Sequence, residues 1–245
     1  MIVTDRLIRR FLALPSIEID DLAPPLEHGE RDRFIQDQVN IPPRPDCGLL
    51  HDDLGTLIRL LRAVRPRRIL ELGTGRGNAT ANLCLFSEAQ VFTVNALEEQ
   101  ISGKTITFIL SRKEIGQVYR DYGYTNRVTQ IYCDTLDFRP LDYMQSGSVD
   151  LVVIDACHDT DYVLSDFHTI LPTLSESGLV LFHDTHPSRE EHLRYSYDAC
   201  ARLRFQGFDV RYIRDTWWGI WRNGDFLQHH PVARRLLGIR SGANP

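Results

Sequence analysis

The sequence predicts an α/β protein built on one open, mostly parallel sheet with helices on both faces. Three observations carry that expectation. Arg68 to Thr80 reads as a short apolar strand, a glycine-rich turn and the start of a helix, the first half of a βαβ unit. Val149–Ile154 and Gly178–Phe182 are near-continuous apolar runs, as expected of strands buried on both faces. Between them Val163, Phe167, Ile170, Leu171 and Leu174 have helical spacing, so a crossover helix joins two parallel strands.

The bulk properties agree with such a fold. A chain of 245 residues suits one α/β domain with extensions. Apolar residues make up 42%, ample for a core. The net charge of −5 argues against a nucleic-acid or anionic-membrane partner. Five cysteines (47, 84, 133, 157 and 200) are odd in number, scattered and without a C-x-x-C, so neither a disulfide framework nor a zinc knuckle is expected. Reduced thiols in a cytoplasm fit best. There is no apolar run of ~18 residues to cross a membrane. The apolar stretch after Arg9-Arg10 is too short for a secretory signal.

The elements follow in order. Residues 1–46 are broken by Pro15, Pro24-Pro25 and Pro42-Pro43 and read as an N-terminal extension that packs over the domain or covers its site, with a homodimer as one use for it. The main domain is expected over 47–223 and a tail over 224–245. Leu50, Leu54, Leu57, Ile58, Leu61 and Val64 form one face of a helix that Pro66 stops; His51, Asp52 and Asp53 at its start read as capping acids more readily than as a metal cluster. Residues 89–94 and 127–132 are further strands. The stretch 96–125 exceeds a plain crossover: Thr105–Leu110 is apolar, Ser111–Tyr122 looks helical, and the whole is a lid or substrate wall or else a solvated helix. After a helix over 188–205, residues 208–213 and 216–221 form a hairpin across Arg214-Asp215. Trp217, Trp218 and Trp221 read as core or sheet-face residues, with substrate stacking open to Trp217 or Trp218.

The glycines fall at 73, 75 and 77. A dinucleotide fingerprint needs G-x-G-x-x-G, and the third glycine comes one residue early; no Gly-Lys-Ser/Thr follows for a phosphate loop. Glu71-Leu-Gly-Thr-Gly-Arg-Gly77 instead resembles the E/D-x-G-x-G-x-G motif of class I S-adenosylmethionine (SAM) methyltransferases. An ordinary strand–helix turn would give the same local pattern. The resemblance implies a Rossmann-like, seven-stranded, mostly parallel sheet whose last strand is antiparallel. It also implies that Glu71, Gly73, Thr74, Gly75, Gly77 and Thr80 hold the methionine end of SAM. The residue ending the second strand, usually an acid for the ribose, is Asn95 here, a departure that keeps hydrogen-bonding capacity. Asp134, after the third strand, falls where the family contacts adenine, and is equally a turn former.

A second cluster carries the chemistry. Asp155 ends one apolar strand, His158 lies a turn on, and His183-Asp184 ends the other. With the glycine loop, three strand ends meet at one sheet edge, where open α/β sheets bind ligands. Asp155 and Asp184 are hard oxygen donors suited to Mg²⁺; His158 is suited to accept a proton. Val153-Ile-Asp-Ala-Cys-His-Asp-Thr-Asp-Tyr-Val-Leu-Ser-Asp166, then Gly178-Leu-Val-Leu-Phe-His-Asp184, is similar to the I-D-x-x-H-x-Y-x-x-V-x-x-D … G-G-x-x-x-x-H-D pattern of metal-dependent sugar and macrolide O-methyltransferases and cephalosporin-hydroxylase-like proteins, with Ser177 in place of the first glycine. That similarity, covering residues 48–222, implies SAM and a divalent metal as cofactors, Asp155 (also at the SAM edge), Asp184 and His183 as metal ligands, and His158 as base. Asp166 is expected to be structural, on the helix face away from the sheet or capping a neighbour, and His186 an ordinary loop residue. A thiol nucleophile at Cys157, beside His158 at the strand edge, is not expected. The expected activity is methyl transfer from SAM to a hydroxyl of a small molecule; the rivals are a metal-independent N- or C-methyltransferase and a non-catalytic SAM-binding module.

Overall fold

The computed structural model describes residues 14–35, 52–101, 109–187 and 191–226. The expected amphipathic turn near Leu7–Leu12, the prolines at 42–45, Cys47, His51, most of the apolar stretch from Thr105 and the tail beyond 226 lie outside them.

In chain order the elements are β1 (Ser16–Ile17), α1 (Asp53–Val64), β2 (Arg68–Leu72), α2 (Asn78–Leu85), β3 (Gln90–Asn95), α3 (Gln117–Asp121), β4 (Val128–Tyr132), β5 (Val149–Ile154), α4 (Thr160–Ile170), β6 (Leu174–Phe182), α5 (Glu191–Phe205), β7 (Arg211–Ile213) and β8 (Gly219–Arg222), with short 3₁₀ turns between some of them. They build one sheet in the order β1-β7-β8-β6-β5-β2-β3-β4. Every neighbouring pair is parallel except those of β8, which lies antiparallel between β6 and β7. The expected mostly parallel sheet with one antiparallel strand is therefore present.

Two corrections apply. Among the described residues the sheet has eight strands rather than seven, because Ser16 and Ile17 pair in parallel with Tyr212 and Ile213 of β7. A two-residue strand has no periodicity of its own and exists only through its partner. The helix expected over 111–122 shrinks to Gln117–Asp121. Gly116 enters the left-handed region (φ +71°), its N–H goes to the Gly75 carbonyl at 2.9 Å, and the Val118 N–H goes to the Arg76 carbonyl at 2.8 Å. The backbone before the helix is thus committed to the glycine loop.

Strand alternation divides the core into two layers. On one face Leu70, Leu72, Val152, Ile154, Val180 and Phe182 pack with Val163, Phe167 and Ile170 of α4 and Ala199, Cys200 and Leu203 of α5. On the other, Ile69, Val91, Leu151, Val153, Leu179 and Leu181 pack with Leu57, Ile58 and Leu61 of α1 and Leu83 and Cys84 of α2. Helix α1 is capped by Asp52, whose Oδ1 accepts the Gly55 N–H at 3.1 Å, and ends at a left-handed Arg65 before Pro66. Residues 17–34 lie over this second layer: Arg59 donates to the Pro24 carbonyl at 2.8 Å and pairs with Asp20 at 2.6 Å, and Arg62 pairs with Glu30 at 2.5 Å. These contacts tie that part of the N-terminal segment to α1.

Asp166 departs from its expected outward face: it is buried on α4, and burial pushes its carboxyl up to about 7. Among the described residues no helix is long and apolar enough to cross a membrane.

Phe167 is fully buried, with its ring centroid 4.8 Å from that of Phe208, 5.1 Å from Trp221 and 5.7 Å from Phe182. Truncation there leaves a cavity under the centre of the sheet. Phe167→Ala should lower unfolding free energy by about 3–5 kcal/mol in a urea titration; a loss below about 1 kcal/mol would contradict this packing.

Candidate active site at the carboxyl edge of the sheet

The glycine loop is held from beneath. Glu71 points into the interior, 1% exposed, and accepts from Thr80 Oγ1 and Thr93 Oγ1, each at 2.5 Å. Thr93 and Thr74 hydroxyls are 2.7 Å apart, and Gln130 Nε2 donates to Thr74 Oγ1 at 2.9 Å. Burial raises the Glu71 pKa to about 7 against the two hydroxyl bonds, which lower it. Thr93 and Gln130 were not picked out from the sequence; their signal is a polar side chain at an otherwise apolar position of each strand.

The three glycines have different roles. Gly73 (φ +102°) lies so close to β5 that a Cβ would stand 1.9 Å from the Asp155 carbonyl oxygen. Gly77 (φ +86°) opens α2, and a Cβ there would meet Gly116 and Tyr119 at 2.9 Å. Only Gly75 (φ +52°) among the three would project a Cβ into open space. The loop N–H groups are largely turned inward: those of Gly73 and Thr74 go to the Val94 carbonyl, that of Gly77 to the Thr74 carbonyl, and that of Gly75 to Asn95 Oδ1 at 3.0 Å. Asn95 therefore latches the loop to the end of β3, while its Nδ2 donates to the Ala96 carbonyl. Asp134, 5% exposed beyond β4, accepts the Leu136 N–H at 3.0 Å and the Tyr162 hydroxyl at 2.9 Å.

The second cluster assembles beside this loop. The ladder continues past the strands, with the Asp155 N–H on the Leu72 carbonyl at 2.8 Å and the His183 N–H on the Ile154 carbonyl at 3.0 Å. Asp155, His158 and Asp184 each present a ligand atom, all within 4.8 Å of one another. His158 Nε2 is 2.8 Å from Asp184 Oδ2 and 3.9 Å from Asp155 Oδ1. His183 Nδ1 is 3.3 Å from Asp155 Oδ1 and 3.5 Å from Asp184 Oδ1. Asp184 adopts a left-handed backbone (φ +53°), which Asp tolerates better than most residues.

Two acids and two imidazoles in so small a space shift one another. Burial opposes the charged form of Asp184, yet the His183 charge and hydrogen bonds from His158 and His183 hold its carboxyl far below the usual range. Asp155 is lowered by the same partners against burial, and its side chain keeps 34% exposure. Burial likewise opposes charge on His158, but bonds to Asp155 and Asp184 and their charges raise it to about 9. His183 is raised well above its ordinary value, the acid charges outweighing burial. His158 Nδ1 is buried without a hydrogen-bond partner among the described residues. Such a set of hard oxygens and imidazole nitrogens fits a divalent cation.

One further residue reaches this centre. Asp52 already caps α1, and Asp53 turns away from capping: its Oδ2 is 3.5 Å from His183 Nε2. A second acid directly after a filled cap is the signal the sequence offered. Trp218 is buried with its ring centroid 4.5 Å from that of His183 at 64°, and Trp221 is core, so both follow the expectation for sheet-face residues.

Comparison with known proteins agrees with this layout. Residues 70–185 match the family described as a methyltransferase domain. The O-methyltransferase hkm8 of Aspergillus hancockii is 30% identical over 159 residues, 62% of this chain; the chain spans only 54% of that relative's length. Two solved structures share the fold: the O-methyltransferase TomG of Streptomyces achromogenes, in complex with SAM (18% identity, 91% of this chain and 100% of that one, TM-score 0.50), and the SAH-bound methyltransferase PaMTH1 of Podospora anserina (20%, 68% and 75%, TM-score 0.50). The match to the methyltransferase-domain family spans just under half of the chain, and the fold is the one these two methyltransferase structures share.

The buried Glu71 sets a pH dependence. Its folded pKa, about 7, lies above its ordinary 4.5, so the folded state holds the proton more tightly. The stability this gives is fully present below about pH 4.5 and is lost as pH rises through 7. Glu71→Gln removes that term. The stability advantage of Glu71→Gln over the wild type should grow between pH 5 and pH 8 by at most ~3 kcal/mol. Parallel unfolding curves at the two pH values check it; an unchanged difference would refute the shift.

Proposed function

We propose that this chain transfers the methyl group of SAM to a hydroxyl of a small molecule, a sugar or other natural product, with a divalent cation such as Mg²⁺ and with His158 as general base. The observation that carries the reading is the convergence of Asp155, His158 and Asp184 within 4.8 Å, on strand ends adjoining the glycine loop. SAM brings an already activated methyl, so the protein has mainly to supply proximity and a deprotonated nucleophile.

In this reading Gly75, Thr74 and Asn95 form the rim that meets SAM, with Gly73 and Gly77 shaping the loop and Glu71 and Thr80 holding it from below. Asp134, just past the end of β4, is assigned to the adenine, and Asp155 to the cofactor as well as to the cation. Asp155, Asp184 and His183 are assigned as metal ligands. The cation supplies positive charge that lowers the pKa of an acceptor hydroxyl. His158 is protonated while two uncompensated carboxylates face it; positive charge beside those carboxylates returns the imidazole toward its ordinary range and lets Nε2 take the hydroxyl proton. A small acceptor rather than nucleic acid fits the net charge of −5, and a reducing cytoplasm fits the thiols of Cys84, Cys133 and Cys200.

The 2.8 Å contact between His158 and Asp184 favours a second reading, in which this pair is a complete histidine–carboxylate base and methylates N or C without a metal. Calorimetric titration of SAM into the purified chain should give micromolar binding. Methyl transfer to a panel of hydroxylated acceptors should then require Mg²⁺ and stop with EDTA; activity that resists the chelator selects the second reading. His158→Ala should cut kcat by about 10²–10⁴-fold with SAM affinity kept. Absence of SAM binding would sink both.

A further inference from the structure

We infer that Asp53 is a positioning residue for the metal centre: it fixes the His183 ring from the far side, so that Nδ1 and not Nε2 is presented to the Asp155/Asp184 pair. This rests on the cation-assisted reading above and deepens it.

The geometry is that of a side chain held at both ends. His183 Nδ1 faces Asp155 Oδ1 at 3.3 Å and Asp184 Oδ1 at 3.5 Å, while Nε2 faces Asp53 Oδ2 at 3.5 Å. An imidazole that uses one nitrogen as a ligand gives the N–H of the other to an acceptor, which sets both tautomer and ring orientation. Asp53 is the carboxylate on that outer side. It is itself immobilised: its Oδ1 accepts the Trp217 N–H at 2.9 Å, and its backbone carbonyl accepts Trp218 Nε1–H at 2.9 Å. The same Trp218 packs an edge against the His183 ring. Asp53 thus ties three elements, the start of α1, the end of β6 and the turn before β8, to one histidine.

A capping role does not account for this. Asp52 already accepts the Gly55 N–H, and the Asp53 carboxylate is spent on Trp217 and His183 instead. The Asp53 side chain is only 21% exposed and the His183 side chain 20%, so the pair is shielded from bulk screening.

The test uses Mn²⁺ alone, followed by the free-ion EPR signal, on the full chain and on Asp53→Asn, His183→Ala and the double variant. Asp53→Asn keeps an oxygen for the Trp217 N–H, so its thermal midpoint and its calorimetric SAM affinity should match the wild type. Its Mn²⁺ affinity should fall about 10- to 100-fold, and Asp53→Glu should recover part of the loss. Because Asp53 acts through His183, adding Asp53→Asn to His183→Ala should cost nothing more. Wild-type Mn²⁺ affinity in Asp53→Asn, or a full further loss in the double variant, would overturn the inference while leaving the metal centre standing. A wild-type chain that binds no Mn²⁺ would overturn the centre itself and the inference with it.

Discussion

Gly73 and the Asp155 carbonyl approach so closely that no other residue type fits at 73 without moving β5 away from β2. That contact sets the spacing on which the site depends. With it, the ladder runs past the strands: Asp155 bonds to Leu72 and His183 to Ile154, so three consecutive strand ends are kept in register beyond their last formal pair. Asp155, His183 and Asp184 then emerge directly at that edge, with His158 in the turn that follows β5. Side chains held on strand ends are placed more precisely than those on loops, because their backbone is fixed by the sheet.

Around that edge the electrostatics oppose each other in a useful way. Glu71 beneath the loop is held near neutrality by burial, while Asp155 and Asp184, a few residues away in space, stay ionised through their histidines. Environment separates acids of the same chemistry into a structural group and a charged group. The positive charge on His158 and His183 is the protein's own compensation for that acid pair, and a divalent cation would replace it.

Much of this was legible in the chain. Periodicity located β2, α2, β5, α4 and β6, and the residues ending those strands named Asp155, His158, His183 and Asp184. Features whose cause is tertiary were not legible. β1 has two residues and exists through β7. The segment before α3 looked helical by composition, but Gly116 and the bonds to Gly75 and Arg76 claim its backbone. Asp53 looked like a cap because sequence proximity to a helix start is visible and spatial proximity to His183 is not. The inward position of Asp166 is legible in the sequence: positions 163, 166, 167 and 170 share one helical face, so Asp166 follows Val163, Phe167 and Ile170 inward.

The stitching of residues 116–118 onto the glycine loop bears on how this part of the chain can diverge over evolution. Gly116 and Val118 bond to Gly75 and Arg76, and the space a side chain at 77 would need is occupied by Gly116 and Tyr119. The glycine loop and the start of α3 therefore behave as one piece. A change at 77 has to be met by a change at 116 or 119, so these positions drift together or not at all.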